Sequence, residues 1–148
     1  MRFRSRMAAP RFADAVAKYD AARIALFGVP YDRTCSFRGG SRFAPRAIRE
    51  ASYNFESFMM DHQRDLLEVP VADVGDTPAF GPTTEMVGGV TKLSSDIVGA
   101  GKIPIVIGGE HSLAPAVVEI RRRKSERPAQ STGYRARNKR RSKKGRRQ

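Results

Sequence analysis

The sequence predicts an α/β fold in which helices pack on both faces of a parallel sheet. Three short apolar segments have the length of buried strands, over residues 23–28, 69–74 and 103–107, and each ends at or beside a glycine. Segments in which apolar residues recur at helical spacing lie between them. This alternation of strand and helix is typical of parallel sheets with helices on their faces. The 148 residues, 40% of them hydrophobic, are enough for one domain of ordinary size.

The first elements are a short helix and a strand. The apolar stripe of the predicted helix consists of Phe12, Ala15, Val16 and Tyr19. The strand follows from Arg23 to Gly28, and its continuous apolar run indicates burial on both faces.

A loop rich in Gly and Arg, residues 29–44, leads to a second helix. We expect this helix to begin at Pro45, because the missing N–H of proline would have no partner in a first turn anyway. Its apolar face is expected to consist of Ile48, Ala51, Phe55 and Phe58. The second strand, residues 69–74, ends at Gly75.

We expect that Thr83 or Thr84 can cap the third helix and that Gly101 is placed to stop it. Its predicted buried face consists of Met86, Val90, Leu93 and Ile97. The third strand, Ile103–Ile107, is apolar throughout and is predicted to be buried on both faces. Another helix is expected to start within residues 113–120.

Charge divides the chain into two parts. Residues 1–120 contain 14 basic and 14 acidic residues, whereas residues 121–148 contain the other 14 basic residues and a single acid, Glu126. The tail, residues 121–148, also lacks Val, Ile, Leu, Phe and Met. Such a segment buries too little apolar surface to offset its ordering entropy, so we expect a domain over 1–120 and a disordered basic tail over 121–148.

Other sequence features bear on location. No run of about eighteen apolar residues occurs, so a membrane-spanning helix is not expected. The Arg-rich first dozen residues lack the apolar core and the cleavage site of a secretory signal. Cys35 is the only cysteine, which excludes a disulfide within the chain. We therefore expect a cytoplasmic protein.

The segment Gly108–Ser112, which reads Gly-Gly-Glu-His-Ser, carries the sharpest functional pattern. It follows a buried parallel strand, and ligands of open α/β sheets bind at the carboxyl ends of the strands. Two glycines allow a tight turn and a close backbone approach. His111 would there be a metal ligand or a hydrogen-bonded loop histidine, and Glu110 would orient it, touch the metal shell or serve helix entry.

Together with Phe27–Asp32, Ser36–Glu50 and Asp73–Asp76, this segment resembles the ureohydrolases, the arginase and agmatinase family, and is most similar to the agmatinase branch. The resemblance implies the amino-terminal portion of a three-layer, arginase-type fold that assembles as a homo-oligomer. It implies His111 as a ligand to one of two manganese ions. The implied activity, a step of polyamine biosynthesis, is hydrolysis of agmatine to putrescine and urea by metal-activated water.

The chain departs from the family after this segment. The resemblance leads us to expect an Asp-Ala-His-x-Asp segment and a later Asp-x-Asp segment, and neither occurs. We therefore expect a truncated, inactive chain whose tail is the product of a shifted reading frame. The alternative is that the tail is an arm that binds nucleic acid without sequence preference.

Three further features receive ordinary interpretations. The arginines of the loop and the second helix are expected to form an ordinary basic loop and a solvated helix face, with acid partners such as Asp32 and Glu50. The alternative is a loop near the active-site entrance or a subunit contact. These arginines are Arg33, Arg38, Arg42, Arg46 and Arg49. Cys35 is expected to be an inert side chain, because no histidine lies near it in sequence. His62 is interpreted as a surface residue.

Overall fold

The computed structural model describes residues 10–118, and both the amino-terminal nine residues and the basic tail lie outside this range. The strands are β1 (Ile24–Gly28), β2 (Phe58–Met59), β3 (Arg64–Asp65), β4 (Val71–Asp76) and β5 (Ile103–Ile107). The α-helices with both ends described are α1 (Ala44–Ser52) and α2 (Thr83–Gly99). Three strands form a parallel sheet in the order β4–β1–β5, which confirms the predicted α/β class.

Strand β1 lies at the centre of this sheet, and its sequence shows why. Ala25, Leu26 and Phe27 are all buried, so the strand presents apolar side chains to both faces. Strand β5, by contrast, is at an edge of the sheet within residues 10–118. Ile103 is 56% exposed and Ile105 is 41% exposed, so the prediction that this strand is buried on both faces is wrong.

Helix α2 covers one face of the sheet. Its four predicted apolar residues are buried with Ala25 and Phe27 of β1, which confirms the expected contact face. Gly101 has a φ of +76°, and this left-handed conformation directly after the helix end confirms its predicted role as a stop.

The opposite face carries a smaller cluster, in which Ala15 packs with Leu26, Val71 and Ile107. The predicted first helix is wrong, because residues 10–18 are not helical. Val16 instead forms an isolated antiparallel bridge with Ala72, and its side chain is 71% exposed. Backbone hydrogen bonds to β4 override the helical spacing of the apolar residues here.

Helix α1 also lies over this second face. Asp73 is two residues after Val71 in β4, so its side chain is on the same face as that of Val71, and Arg49 of α1 contacts it there. Pro45 is in its first turn, as predicted. The expected apolar face is wrong: the buried residues are Pro45, Arg49 and Ser52, whereas Phe55 lies beyond the helix and is 72% exposed.

The segment after α1 forms a small antiparallel hairpin of β2 and β3, which the sequence analysis missed. His62 lies in its turn and is exposed, which confirms its interpretation as a surface residue. No helix among residues 10–118 has the length and apolar character needed to cross a bilayer.

Candidate active site

The segment Gly108–Ser112 forms a turn at the carboxyl end of β5, as predicted. The end of β1 lies beside it, since the amide of Val29 donates to the carbonyl of Ile107 at 2.9 Å. A 3-10 helix, His111–Leu113, begins the next element, and residues 114–118 continue it as α-helix. An open cavity of about 470 Å3 adjoins the turn and is lined by Val106, Gly108, Gly109, Glu110, His111, Leu113, Ala114, Val117 and Val118.

Gly109 is required by a close backbone approach. A Cβ at this position would collide with the carbonyl oxygen of Tyr31, which is main chain and has little freedom to move. The amide of Glu110 donates to that same oxygen at 2.9 Å. The turn after β5 is therefore held directly against the chain that leaves β1, as the paired glycines indicate.

Glu110 is a buried carboxylate with several protein donors. Its Oε2 accepts from the amide of Thr34 at 2.8 Å, and its Oε1 accepts from the hydroxyls of Thr34 and Ser112. Burial by itself raises the pKa of Glu110, but these hydrogen bonds outweigh it and hold the pKa below its usual value. Of the expected roles, orientation of His111 finds no support, since the Glu110 carboxylate makes no hydrogen bond to it within the part of the chain that the structure describes.

His111 is exposed at the start of the 3-10 helix, beside the cavity. Within residues 10–118, no group of three or more His, Cys, Asp or Glu side chains lies close enough together to hold a metal ion. Two manganese ions need several carboxylates between and around them. The described residues therefore offer one candidate ligand and do not by themselves fit a two-metal centre.

A buried ion cluster that the sequence patterns did not predict lies at the carboxyl end of β4. Arg49 is fully buried and donates to Asp73 through Nε at 2.7 Å and Nη2 at 2.9 Å, while its Nη1 donates to Asp76. Burial lowers the pKa of Arg49, yet the bonds to the two carboxylates outweigh it and raise the pKa. The spacing of Pro45, Arg49 and Ser52, at i, i+4 and i+7, is the signal that could have placed Arg49 on the inner face.

Two other arginines have the acid partners that were expected. Arg42 pairs with Asp32 at 3.1 Å, and Arg46 pairs with Glu50 at 2.7 Å. The ordinary interpretation is confirmed for these two and is wrong for Arg49. The Sγ of Cys35 lies 3.3 Å from the hydroxyl of Ser41.

A parallel sheet that carries a Gly-Gly-Glu-His-Ser turn at the carboxyl end of one of its strands defines an arginase-type α/β domain. The model of the arginase family matches residues 22–130, and the chain belongs to that family. Its sequence is 39% identical over 103 residues to an N(1)-aminopropylagmatine ureohydrolase of Thermococcus kodakarensis. It is 35% identical over 112 residues to an agmatinase of Bacillus anthracis.

Solved structures agree with this placement. An agmatine ureohydrolase of Thermoplasma volcanium superposes with a TM-score of 0.73 at 37% identity over 78% of the chain. A Trypanosoma cruzi formiminoglutamase with Mn2+ superposes with a TM-score of 0.63 over 72% of the chain and, at 23% identity, shows a shared fold alone. Within its family, the chain is agmatinase-like.

The similarity covers only part of each relative. The matches take in 68% and 75% of this chain but 36% and 39% of the two ureohydrolase sequences. The share is 39% of the Thermoplasma volcanium structure and 37% of the formiminoglutamase structure. The chain thus spans little more than a third of the length of these relatives.

Proposed function

We propose that this chain is the amino-terminal part of an agmatinase-like ureohydrolase that hydrolyses agmatine to putrescine and urea. In this reaction water adds to the guanidinium carbon, and the bond from that carbon to the substituted nitrogen breaks. The observation that carries the proposal is the His111 turn, which lies at the carboxyl end of β5 in a chain 37% identical to an agmatine ureohydrolase of known structure. Relatives named for agmatine and for N(1)-aminopropylagmatine support an agmatine-type guanidino substrate.

His111 is the residue that we propose as a manganese ligand. The cavity beside it and its exposure leave the imidazole accessible, and imidazole nitrogen is a common ligand of divalent transition metals. We propose that the remaining ligands lie outside residues 10–118, which hold no metal-binding cluster, and the only acids after His111 in the sequence are Glu119 and Glu126. The proposal also divides the chain into a domain over 1–120 and a basic tail, and it places the protein in the cytoplasm.

The 148-residue chain alone is expected to release no urea from agmatine in the presence of manganese. The physical reason is that a lone histidine does not hold two ions and generate hydroxide between them. A coupled urea assay on protein free of host agmatinase measures this, with a metal-free sample as the control. Manganese-dependent turnover by the chain alone would show that the ligand assignment is wrong.

A chimera tests the positive part of the proposal. Residues 1–118 are joined to the part of the Thermoplasma volcanium agmatine ureohydrolase that follows the matched region. We expect manganese-dependent urea release from agmatine, and we expect His111→Ala to lower it by at least about a hundredfold, since even residues behind the ligands cost up to that factor. His62→Ala is the matched control, because this histidine is exposed on the hairpin turn.

The chimera can also give results that contradict the proposal. A folded chimera without activity on agmatine, N(1)-aminopropylagmatine or arginine would reject a guanidino substrate for this segment. An equal loss in the His62 and His111 variants would reject the ligand role of His111.

The second candidate function is binding of nucleic acid by the basic tail. It is favoured by one observation, the concentration of a net charge of +13 in residues 121–148 beside a body of zero net charge. Such a segment would bind phosphates by release of counterions, without reading bases.

A further inference from the structure

The loop that follows β1, residues 32–42, is folded on itself by short-range polar contacts. The Asp32 carboxylate accepts from the amide of Gly40 at 2.7 Å and from Arg42 at 3.1 Å. Gly40 has a φ of +121°, a conformation that favours glycine. Cys35 and Ser41 meet across the loop. These contacts give the loop a shape but do not attach it to the rest of the domain.

Within residues 10–118, the hydrogen bonds that attach the loop to the domain go to one side chain of the His111 turn, that of Glu110. Glu110 is 76 residues from Thr34 in sequence, and it accepts from both the amide and the hydroxyl of that residue. The same carboxylate accepts from Ser112, which begins the next helical segment with His111. One buried group is therefore bonded to the loop and to the proposed metal-ligand segment at the same time.

Two simpler roles for Glu110 do not account for these contacts. It occupies the N-cap position of the 3-10 helix His111–Leu113, but its side chain makes no capping hydrogen bond to the backbone of that helix. A role as a metal ligand would not explain why three of the roughly four acceptor sites of this carboxylate are taken by the protein donors Thr34 and Ser112. The geometry therefore indicates that the Glu110 carboxylate holds loop 32–42 in place.

We propose that Glu110 is a positioning residue that fixes loop 32–42 beside the turn carrying His111. A carboxylate is suited to this, because hydrogen bonds to a charged acceptor are about twice as strong as neutral ones. The importance of the loop for catalysis rests on the proposed function. Its attachment by Glu110 does not, and it is tested without metal or substrate.

Cys35 is a built-in reporter, because it is the only cysteine of the chain and is half-buried within this loop. We expect Glu110→Gln to raise the rate at which N-ethylmaleimide labels Cys35 by at least about tenfold, as expected for loss of a buried charged hydrogen bond. Hydrogen exchange of the peptide containing Thr34 should accelerate by a similar factor. This second readout is independent of any change in the intrinsic reactivity of the thiol.

Urea distinguishes release of the loop from general destabilisation. Both rates are measured at several urea concentrations well below the unfolding transition. When labelling and exchange occur through local opening, their rates depend little on the urea concentration, because little surface is exposed. When they occur through global unfolding, the rates rise steeply with urea. We expect the flat dependence for Glu110→Gln.

Two further variants complete the experiment. Thr34→Val removes the hydroxyl donor but keeps the amide, so it should give an intermediate increase, and it carries the test if Glu110→Gln does not fold. Asp96→Asn removes an exposed carboxylate of α2 that bonds Lys92, and it should leave both rates unchanged. The proposal is overturned if Glu110→Gln and Thr34→Val label like the parent, if their increase depends steeply on urea, or if the parent already labels at the rate of the urea-unfolded chain. If no urea were released from agmatine in the activity assay of the chimera, these labelling and exchange results would still stand.

Discussion

Arg49 is a cation in the core, where an uncompensated charge is strongly unfavourable. It is stable there because Asp73 and Asp76 supply two carboxylates at the carboxyl end of β4. Asp73 also accepts from the amides of Phe12 and Gly75, so both of its carboxylate oxygens have more than one hydrogen-bond donor. The cluster ties α1, the amino-terminal segment and the end of β4 to one another.

Removal of this arginine should therefore be costly. Arg49→Met should lower the free energy of unfolding by about 3–5 kcal/mol, because it leaves buried carboxylates without their partner. Arg46→Met is the matched control on the same helix, where the ion pair with Glu50 is exposed, and it should leave the urea midpoint near that of the parent. Equal midpoints for the two variants would contradict a stabilising role for the cluster.

The parent and Arg49→Met should also differ in their response to acid. Burial raises the pKa of Asp73, but the bonds from Arg49 and two amides outweigh it and hold the pKa below its usual value. A depressed folded-state pKa stabilises the fold above the unfolded value of about 3.9, and this stability is lost as pH falls through the folded value. In Arg49→Met burial dominates instead and raises the pKa of Asp73, so the variant recovers stability as pH falls through that raised pKa, above about pH 4. The gap in urea midpoint between parent and variant should therefore begin to narrow above about pH 4, and it should narrow further below it as the parent loses stability. A gap that is constant with pH would contradict this account.

Replacement of Gly109 and of Gly88 by alanine should change the stability of the fold in opposite directions. Gly109→Ala forces a Cβ against the main chain of Tyr31, so it should destabilise the fold and displace the His111 turn. Gly88 lies in α2, and a Cβ there would meet no atom within 4 Å, so Gly88→Ala should stabilise by roughly 0.5–1 kcal/mol through helix propensity. Thermal unfolding of both variants measures this, and stabilisation by Gly109→Ala would contradict the close approach.

At the scale of elements, β5 is an exposed edge of the sheet within residues 10–118. Its outward isoleucines, Ile103 and Ile105, are half exposed on the face opposite α2. An apolar edge strand with unpaired backbone groups is a template for association with other chains. The element is well formed but incompletely covered.

We therefore expect the chain to self-associate with increasing concentration, as measured by sedimentation velocity. Ile105→Lys should shift the distribution toward monomer, because a charged side chain on an edge strand opposes pairing. Thr84→Lys adds the same charge on an exposed site of α2 and should have no such effect. Association through β5 would be contradicted if the parent stayed monomeric and showed a sharp cooperative unfolding transition. It would also be contradicted if Ile105→Lys and Thr84→Lys shifted the distribution toward monomer equally.

At the scale of the whole molecule, charge is divided between a neutral body and a basic tail. Any affinity for nucleic acid should reside in residues 121–148 and should fall steeply as salt rises. Filter binding from low to physiological salt measures this for the full chain and for a chain ending at Ile120, which should lose binding. His111→Ala should bind like the parent. Binding retained by the shortened chain, or strong preference for one sequence at high salt, would contradict an electrostatic tail.

Local patterns in the sequence were sufficient to predict the elements that are built from apolar residues. The run that became β1 and the stripe of α2 were predicted correctly, because contiguous or periodic apolar side chains indicate burial whichever partner covers them. The run that became β5 was predicted correctly as a strand, but its burial on both faces was not, since Ile103 and Ile105 are exposed at the edge of the sheet. The turn at Gly108–Ser112 was also predictable, since paired glycines after a strand have a local conformational cause. The division of charge follows from composition alone.

Only the tertiary structure decided the features that depend on partners distant in sequence. Residues 12–16 have helical spacing but are not helical, because Val16 bridges to Ala72 of β4, about 56 residues away, and Ala17 donates to the carbonyl of Val71. The inner face of α1 is chosen by Arg49, whose charge is tolerable only where two later aspartates meet it. The role of Glu110 depends on Thr34, 76 residues earlier. Hydrogen bonds and ion pairs need specific partners at defined distances, and the fold alone brings those partners together.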